Sequence, residues 1–500
     1  MLAEFVRVRD DLELVERQQV DRRFGVATEV QDYAGSTTLL GYDALGRVTR
    51  VVRPGDSEQL PSVSYAYELA APLSRVTTEL RRFSGHAEVD SAEDLIDGAG
   101  RKRASIVPDG TGADERWAIS GVQLFDARGS AWRSVRARMA GPGERTSPDL
   151  QMDGPGDSSW RDAVGRSIRT LTNAGLQSRT EYHPLQKHYW DPGRANPASP
   201  YDKTPSVEAV DGLGRITSAT RHLSQVAHSA DFAWNAAGDL LSRTDPEGNV
   251  ASYQYDGRGR RIAVVDPDVG KRGLVWDKTD NLVERRQPDG TVLRFDYDLV
   301  GRLIREDWGG DGKPDVENVW DVHPGQPGDT SFRGKLVQTR DATGVTDHSY
   351  DHRGRSSATR LNIQGQLVST ESHFDAQDRE YLHVYPDKSS IRIHYNARGQ
   401  VSAYGKAVEF HYDPDGVELQ RTFNTGVVQH AGYDDDRKLR EIRALSASGQ
   451  VIEHVRRTYD LAGNVTKIED LRPNVPAAEN RSESYSYDDF YRLVVAEGSW

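Results

Sequence analysis

The stretch ASYQYDGRGR at residues 251–260 is the best guide to the fold, because close variants of it return along the chain. They include GYDALGR at 41–47, FDYDLVGR at 295–302 and HSYDHRGR at 348–355. Each places an aromatic residue before Asp and a Gly-Arg pair three residues after that Asp. Asp-x-x-Gly is typical of a tight turn, since Asp bonds to nearby backbone and Gly tolerates positive φ. A turn motif that recurs this often indicates a repeat architecture.

The aromatic residue of each motif is called the anchor here, and successive anchors are often 21 residues apart. The anchors are Tyr42, Trp234, Tyr255, Trp276, Tyr297, Tyr350, Phe374, Tyr395, Tyr412, Tyr433, Tyr459 and Tyr487. The turn residues that accompany them are Asp43, Gly46, Arg47, Asp256, Gly259, Arg260, Asp277, Asp298, Gly301, Arg302, Asp351, Gly354, Arg355, Asp460 and Gly463. Because a scaffold residue is needed in every repeat and a catalytic pair only once, the recurrence favours structural roles for all of them.

Between the motifs the sequence is typical of strands. TVLRFDY at 291–297 alternates between two faces, and a second turn such as Asp245-Pro246-Glu247-Gly248 divides each repeat. We therefore expect two strands per repeat, each Asp closing its turn and each Arg reaching a neighbouring strand. The eleven anchors from Trp234 onward predict roughly 22 strands, and no long segment has helical periodicity.

Composition indicates how such a sheet is arranged. Only 36% of the residues are hydrophobic, and the mean hydropathy is −0.70. A twisted sheet of this length must curl, and the chain has too few apolar residues to curl onto a dense core. The sequence predicts an all-β fold, a long antiparallel sheet coiled as a spiral, with aromatics stacking from repeat to repeat around a space.

The repeats are not uniform along the chain. Residues 1–230 form a divergent, insertion-rich region, whereas residues 231–500 contain regular repeats. Stretches 139–160 and 189–206 are rich in Gly, Pro, Ser and Asp, which predicts loops or insertions in the same sheet.

Charge and cysteine content exclude some classes. A net charge of −13 argues against a protein that coats nucleic acid, and the lack of Cys excludes disulfides and thiolate chemistry. The charged N-terminus MLAEFVRVRDDLELVERQQVDRRFG is not a Sec-type signal peptide, and no apolar run is long enough to span a bilayer.

The motifs YDALGR, YDGRGR, WDKTDNL, YDLVGRL, YDHRGR and YDLAGN resemble the Rhs/YD repeats of bacterial polymorphic toxins, Tc insecticidal toxin complexes and animal teneurins. DGAGRKRASIVPDG and VDGLGRITSATRH resemble the middle portion of Tc toxin B components. The resemblance implies a hollow, non-enzymatic β-shell that sequesters a toxic polypeptide cargo until delivery. The self-cleaving end of that family is absent from this sequence, so no autoprotease residue is transferred.

The resemblance also implies partners and a location. The partners would be the cargo and further shell or translocation components, with no nucleic acid, no cofactor and no membrane insertion by this chain. The protein would be made in the bacterial cytoplasm and act outside the cell in a toxin assembly. The sequence ends soon after the anchor motif YDDFYRL at 487–493, so we expect a part of a longer shell or one half of a two-chain shell.

Two clusters are candidate metal sites. An acidic, Gly-rich loop contains Asp307, Asp311 and Asp315, whose carboxylates could bind Ca²⁺ as in Ca²⁺-binding loops. An acidic turn without a metal ion is the favoured interpretation. His183 and His188, with Asp191, could ligate a metal, but their spacing does not suit one face of a helix. We expect these histidines in loops or on the surface, and predict no metal site.

Two other functions compete with the shell. One is an extracellular adhesion or carbohydrate-binding module, which would need exposed apolar patches. The other is a glycosidase or nuclease grafted on the sheet, which would need carboxylates or a metal cluster outside the repeat register. The sequence contains no complete catalytic motif, which favours a protein without enzymatic activity.

Overall fold

The computed structural model describes residues 2–9, 12–70, 72–109, 116–141, 143–145, 150, 153–197, 204–223, 226–476 and 479–498. These residues form an all-β protein with two long, open antiparallel sheets. These ranges include a short 3₁₀ helix at Thr330–Phe332. No helix among them has the length and apolar character needed to cross a membrane.

The first sheet has 11 strands, which lie next to one another in chain order apart from β13 at its end. Its strands are β1 (Leu2–Arg9), β2 (Leu12–Asp21), β3 (Val26–Gln31), β4 (Thr37–Tyr42), β5 (Val48–Val52), β6 (Val63–Glu68), β7 (Leu73–Arg81), β8 (Val89–Asp97), β9 (Lys102–Pro108), β10 (Trp117–Ser120) and β13 (Arg138–Met139).

The second sheet has 32 strands, again in chain order. It begins with β11 (Val122–Phe125), β12 (Ala131–Val135), β14 (Gly156–Arg161), β15 (Ser167–Leu171), β16 (Gln177–His183), β17 (Gln186–Trp190), β18 (Ser206–Val210), β19 (Ile216–Leu223), β20 (Val226–Trp234), β21 (Leu240–Thr244), β22 (Val250–Tyr255), β23 (Arg261–Asp266), β24 (Gly270–Trp276), β25 (Leu282–Arg286), β26 (Val292–Tyr297), β27 (Leu303–Asp307) and β28 (Val316–Trp320).

It continues with β29 (Leu336–Asp341), β30 (Gly344–Tyr350), β31 (Ser356–Ile363), β32 (Gln366–Phe374), β33 (Glu380–Val384), β34 (Ser390–Tyr395), β35 (Val401–Tyr404), β36 (Val408–Tyr412), β37 (Glu418–Phe423), β38 (Val428–Tyr433), β39 (Leu439–Leu445), β40 (Val451–Tyr459), β41 (Val465–Asp470), β42 (Glu483–Tyr487) and β43 (Leu493–Gly498).

The regular repeats contain two strands each, as the alternation predicted. β22, β24 and β26 each end on an anchor, at Tyr255, Trp276 and Tyr297. The strand register shifts by one residue just before each of these anchors. Tyr255, for example, pairs with Arg261, and one residue of the opposite strand is skipped. A bulge of this kind increases local twist, and its repetition helps to curl the sheet.

The two sheets meet at Gly121, which connects β10 to β11 with φ of 62°. A hydrophobic cluster lies at this junction and consists of Leu95, Ala104, Ile106, Trp117, Ile119, Val122 and Val135. The domain boundary predicted near residue 230 concerns the regularity of the repeats and stays a prediction. The sheet itself is continuous there, from β19 through β20 to β21.

The predicted loop stretches lie partly outside the described residues. In the stretch 139–160, Met139 belongs to β13 and residues 156–160 belong to β14, so the prediction of a loop is wrong for these residues. In the stretch 189–206, residues 189–190 end β17 and Ser206 begins β18, whereas the described residues 191–197 and 204–205 lie outside strands as predicted.

The surface area shows that the sheet does not fold onto a filled core. The chain exposes 28514 Å² of surface and has a mass of 55.7 kDa. A compact monomer of that mass would expose about 18,000 Å². Both faces of most strands are therefore accessible to solvent, which agrees with the low hydropathy.

Candidate functional site: the repeat turns and the seam between coils

The turn that follows Tyr255 shows the structure of one repeat motif. Asp256 Oδ1 accepts hydrogen bonds from the backbone N–H groups of Arg258 (2.9 Å) and Arg260 (3.0 Å). Gly259 has a φ of 78°, in the left-handed region that favours glycine. The backbone N–H of the residue four positions after the Asp donates likewise to Asp43, Asp298, Asp351 and Asp460.

The Arg of the motif contacts two repeats. Arg260 Nε donates to Asp256 Oδ2 in its own turn at 2.7 Å. Its Nη1 donates to the Asp277 carbonyl at 2.6 Å and to the Asp280 carboxylate at 2.7 Å in the next repeat. The sequence predicted that the Arg reaches a neighbouring strand, which the structure confirms for Arg260. The structure also shows the ion pair between Arg260 and Asp256 within the turn.

The anchor contacts the repeat before it. Tyr255 donates its hydroxyl to the Leu240 carbonyl at 3.0 Å, and Trp276 donates Nε1 to the Arg261 carbonyl at 2.7 Å. The hydroxyls of Tyr42, Tyr297, Tyr350, Tyr395, Tyr412, Tyr433, Tyr459 and Tyr487 and Nε1 of Trp234 also donate to upstream carbonyls. Phe374 carries no donor. Each polar anchor therefore binds backward along the sheet while the Arg binds forward.

The aromatic ladder differs from the expected one. Successive anchors stand two strands apart, roughly 9.6 Å, which is beyond the range of direct ring stacking. In several repeats a cationic side chain from the preceding turn lies against the anchor ring instead. Arg355 lies 4.9 Å from the centre of the Phe374 ring, and Arg379 lies 4.5 Å from that of Tyr395.

The electrostatics of the turn suit a structural carboxylate. The Arg260 side chain, followed by its backbone N–H, lowers the pKa of Asp256. Hydrogen bonds led by the Asn281 backbone N–H lower the pKa of Asp277 to about 2. A glycosidase acid needs a raised pKa, so these aspartates are suited to closing turns rather than to donating protons.

Trp320 is a further anchor, not predicted from the sequence, in the long interval between Tyr297 and Tyr350. Trp320 ends β28, and its Nε1 donates to the Leu303 carbonyl at 3.0 Å. Arg302 of the preceding repeat forms a two-pronged ion pair with the buried Asp321 at 2.9 and 2.6 Å. The dipeptide Trp320-Asp321 was the available signal, although no Gly-Arg pair follows it.

Four turns replace the motif glycine with another residue and keep its backbone conformation. Asp280, Asp378, Arg437 and Tyr491 have φ between 63° and 68°. Asp280 and Asp378 accept hydrogen bonds from Arg260 and Arg355 of the preceding repeats, both at 2.7 Å. Aspartate tolerates the left-handed region better than most residues, and these ion pairs connect each such turn to the preceding repeat.

The sheet coils far enough for its later turns to contact its first part. We call this contact region the seam, formed by residues within 36–194 on the first coil and 352–491 on the later coil. At one end Arg353 donates to the Pro54 carbonyl (2.9 Å), to Asp56 Oδ2 (2.8 Å) and to Ser84 Oγ (2.9 Å). The Arg353 and Asp56 side chains are only 4% and 0% exposed.

The middle of the seam is also polar. Gln377 Nε2 donates to Asp90 Oδ2 at 2.7 Å, and Arg398 pairs with Asp109 at 2.7 Å. Further along, Asp415 Oδ1 accepts the Ala137 N–H at 2.6 Å.

The far end of the seam contains a buried cation and a tyrosine. Arg194 is 1% exposed and donates to the Asp489 carbonyl at 2.5 Å. Tyr491 donates its hydroxyl to Asp191 Oδ1 at 2.6 Å. Burial, followed by this hydrogen bond, raises the pKa of Tyr491 well above its usual value. Asp191 therefore belongs to the seam and not to a site with the two histidines.

The acidic loop proposed as a calcium site uses its carboxylates on its own backbone. Asp307 accepts the N–H groups of Gly310 (2.5 Å) and Gly312 (2.8 Å), Asp315 accepts that of Trp308 (2.6 Å), and Asp311 accepts that of Lys313 (2.9 Å). This is the geometry of an acidic turn, the interpretation that the sequence favoured.

Of the two expected places for His183 and His188, a loop or the surface, the structure shows strands rather than a loop, with His183 exposed and His188 half-buried. His183 ends β16 and His188 lies in β17, and their rings are 4.6 Å apart across the hairpin. The two residues are neighbours across paired strands, and their helical spacing therefore does not bear on their proximity. Glu181 joins them in a group whose ligand atoms all lie within 4.8 Å of one another.

Comparisons with known proteins agree with this architecture. Residues 234–268 and 276–311 match the model of the RHS repeat. The crystal structure of TcdB2-TccC3 is 19% identical with a TM-score of 0.83, and the match covers 97% of this chain and 29% of that one. A Tc holotoxin pore of Photorhabdus luminescens is 18% identical with a TM-score of 0.84, covering 97% of this chain and 31% of that one. No curated protein sequence matches this chain.

The chain thus carries RHS repeats and has the fold of the Tc toxin shell structures. The resemblance read from the sequence is confirmed in both respects. The chain spans less than a third of the length of the solved chains that it matches.

Proposed function

We propose that this chain forms part of the wall of a hollow β-shell that encloses a toxic polypeptide of a bacterial toxin system until delivery, without catalysing a reaction. The seam is the observation that carries the proposal. Buried polar contacts such as Arg353–Asp56 join the coils edge to edge, which turns a long ribbon into a wall.

The composition of the wall fits an enclosed polypeptide. The low mean hydropathy of −0.70 indicates a wall that is polar on average, although single large apolar side chains such as Leu299 are exposed. A polar wall would keep such a cargo away from other molecules in solution. It would still release the cargo at a low cost in free energy.

The partners in this proposal are the polypeptide cargo and further shell or translocation components. The match to only 29–31% of the Tc chains supports the need for further wall segments. One of the matched structures is a Tc holotoxin pore. By that likeness we infer that this chain acts outside the producing cell within a toxin assembly.

Small-angle X-ray scattering of the purified full chain tests the wall. We expect a radius of gyration clearly above the ~23 Å of a compact 500-residue globule, with pair distances skewed to long values. A compact distribution would mean a filled core and would contradict the proposal.

A tethered polypeptide tests enclosure separately. An unstructured segment with regularly spaced Lys residues, fused to the C-terminus of the chain, should be cleaved by trypsin more slowly than the same segment fused to a compact protein. Equal cleavage rates would show that this part of the wall does not enclose polypeptide.

A further inference from the structure

The hairpin of β16 and β17 carries a group of polar side chains unrelated to the repeat motif. The pairing register places Glu181 opposite His188 and His183 opposite Gln186. The strands are joined by a two-residue connection, Pro184-Leu185, in which Leu185 has a φ of 59°. Because side chains alternate along a strand, all four side chains project from one face of the hairpin.

The distances within this group approach those of a metal site. Glu181 Oε2 lies 3.6 Å from His183 Nε2, and Gln186 Oε1 lies 3.4 Å from His188 Nε2. A tetrahedral Zn²⁺ with bonds of about 2.0–2.1 Å holds its ligand atoms about 3.4 Å apart. Both histidine rings and the Glu181 carboxylate are at least partly exposed, so small side-chain rotations suffice to close the remaining distances.

One positive charge, Arg179, lies close to the group, and the neighbouring Lys187 is paired elsewhere. Arg179 Nε is 3.7 Å from the other carboxylate oxygen, Glu181 Oε1, and the Arg179 guanidinium lies 3.9 Å from the centre of the Trp190 ring. Lys187 forms its ion pair with Glu208 at 3.0 Å. On the next strand, Val207 lies opposite His188 and Ala209 opposite Gln186, so that strand adds no positive charge at these two positions.

We propose that Glu181, His183 and His188 form a binding site for a divalent transition-metal ion, with Zn²⁺ as its representative. Two imidazoles and one carboxylate are a donor set that suits Zn²⁺, Ni²⁺ or Cu²⁺ rather than Ca²⁺ or Mg²⁺. The fourth position is open to water or to Gln186 Oε1. The bound ion connects β16 to β17 near the tip of the hairpin, independently of any cargo.

Titration of the metal-free full chain with Zn²⁺ in an isothermal calorimeter tests the site, and the intensity of the Co²⁺ visible bands reports whether the coordination is tetrahedral. We expect one saturable Zn²⁺ per chain. His183→Asn and His188→Asn each remove a ligand, so binding should weaken by more than the roughly 10–100-fold caused by loss of a supporting group.

His454→Asn is the matched control, because His454 also lies in a strand and contacts a carboxylate, Glu441, at 2.7 Å. Among the described residues, His454 does not belong to a group of side chains that could hold a metal ion. We therefore expect the His454→Asn variant to keep full Zn²⁺ binding. Absence of saturable binding by the unaltered chain would overturn the proposal. So would unchanged binding in the His183 and His188 variants, or an equal loss in the His454 variant.

Discussion

The Arg353 guanidinium and the Asp56 carboxylate are 297 positions apart in the chain and lie 2.8 Å apart in the seam. Both side chains are withdrawn from solvent, with 4% and 0% exposed. Arg353 also donates to a carbonyl and a hydroxyl of the first coil. The pair therefore fixes how the later coil sits on the first.

Replacing Arg353 with Met should open this part of the seam. Removing one partner of a buried ion pair leaves the other charge unpaired and costs about 3–5 kcal/mol. We expect faster hydrogen exchange at residues 53–57, measured by mass spectrometry, and a larger radius of gyration. Arg258→Met is the matched control, because Arg258 occupies the same turn position but pairs on the surface with Asp280. If both variants behave alike, the seam does not depend on the Arg353 pair.

Gly259→Ala should destabilise its repeat, since Gly259 has a φ of 78°. Left-handed backbone costs a non-glycine residue roughly 1–2 kcal/mol. Gly257 lies in the same turn without positive φ, and a Cβ there would meet nothing within 4 Å. Gly257→Ala should therefore leave hydrogen exchange of β22 and β23 unchanged. Equal protection in the two variants would contradict the assigned role of Gly259.

Acid should unfold the repeats over a defined range. The folded pKa of Asp277 is lowered to about 2, whereas an unfolded Asp titrates near pH ~3.9. The stabilisation is therefore complete above about pH 4 and is lost as the pH falls toward about 2. The pKa values of Asp43, Asp97, Asp211 and Asp256 are lowered as well.

Circular dichroism should show the loss of strand structure across that range, and Asp277→Asn should weaken the pH dependence of hydrogen exchange in β24 and β25. A stability that rises as the pH falls below 4 would refute the assignment.

Calcium should not stabilise the loop at 307–315. Burial acts to raise the pKa of Asp307, but the backbone N–H groups that already occupy its carboxylate, led by that of Gly312, lower it on balance. We expect the same melting temperature in millimolar Ca²⁺ and in chelator, by differential scanning fluorimetry. Asp307→Asn should lower the melting temperature equally in both, because an amide offers one acceptor oxygen instead of two. A rise in melting temperature with Ca²⁺ in the unaltered chain alone would favour the metal site instead.

Local features were predictable because they depend on a few adjacent residues. Asp256, Gly259 and Arg260 specify a turn through side-chain hydrogen bonds and backbone conformation, and alternation specifies the strands on either side. Trp320 was missed because its turn lacks the Gly-Arg pair. The proximity of His183 and His188 was not predicted because it depends on strand pairing across a hairpin.

The order of residues is enough to specify the repeat and its two strands. The composition, with its shortage of apolar residues, excludes a filled core. Which turns form the seam depends instead on the path of the whole sheet. Arg353, Gln377 and Asp415 occupy the position just before the left-handed residue of their turns and bond to the first coil. Leu45, Val164 and Leu213 occupy the same position and are 68%, 74% and 75% exposed. The difference depends on the curvature accumulated over many strands, since each bulge and twist changes which turns meet several hundred residues later.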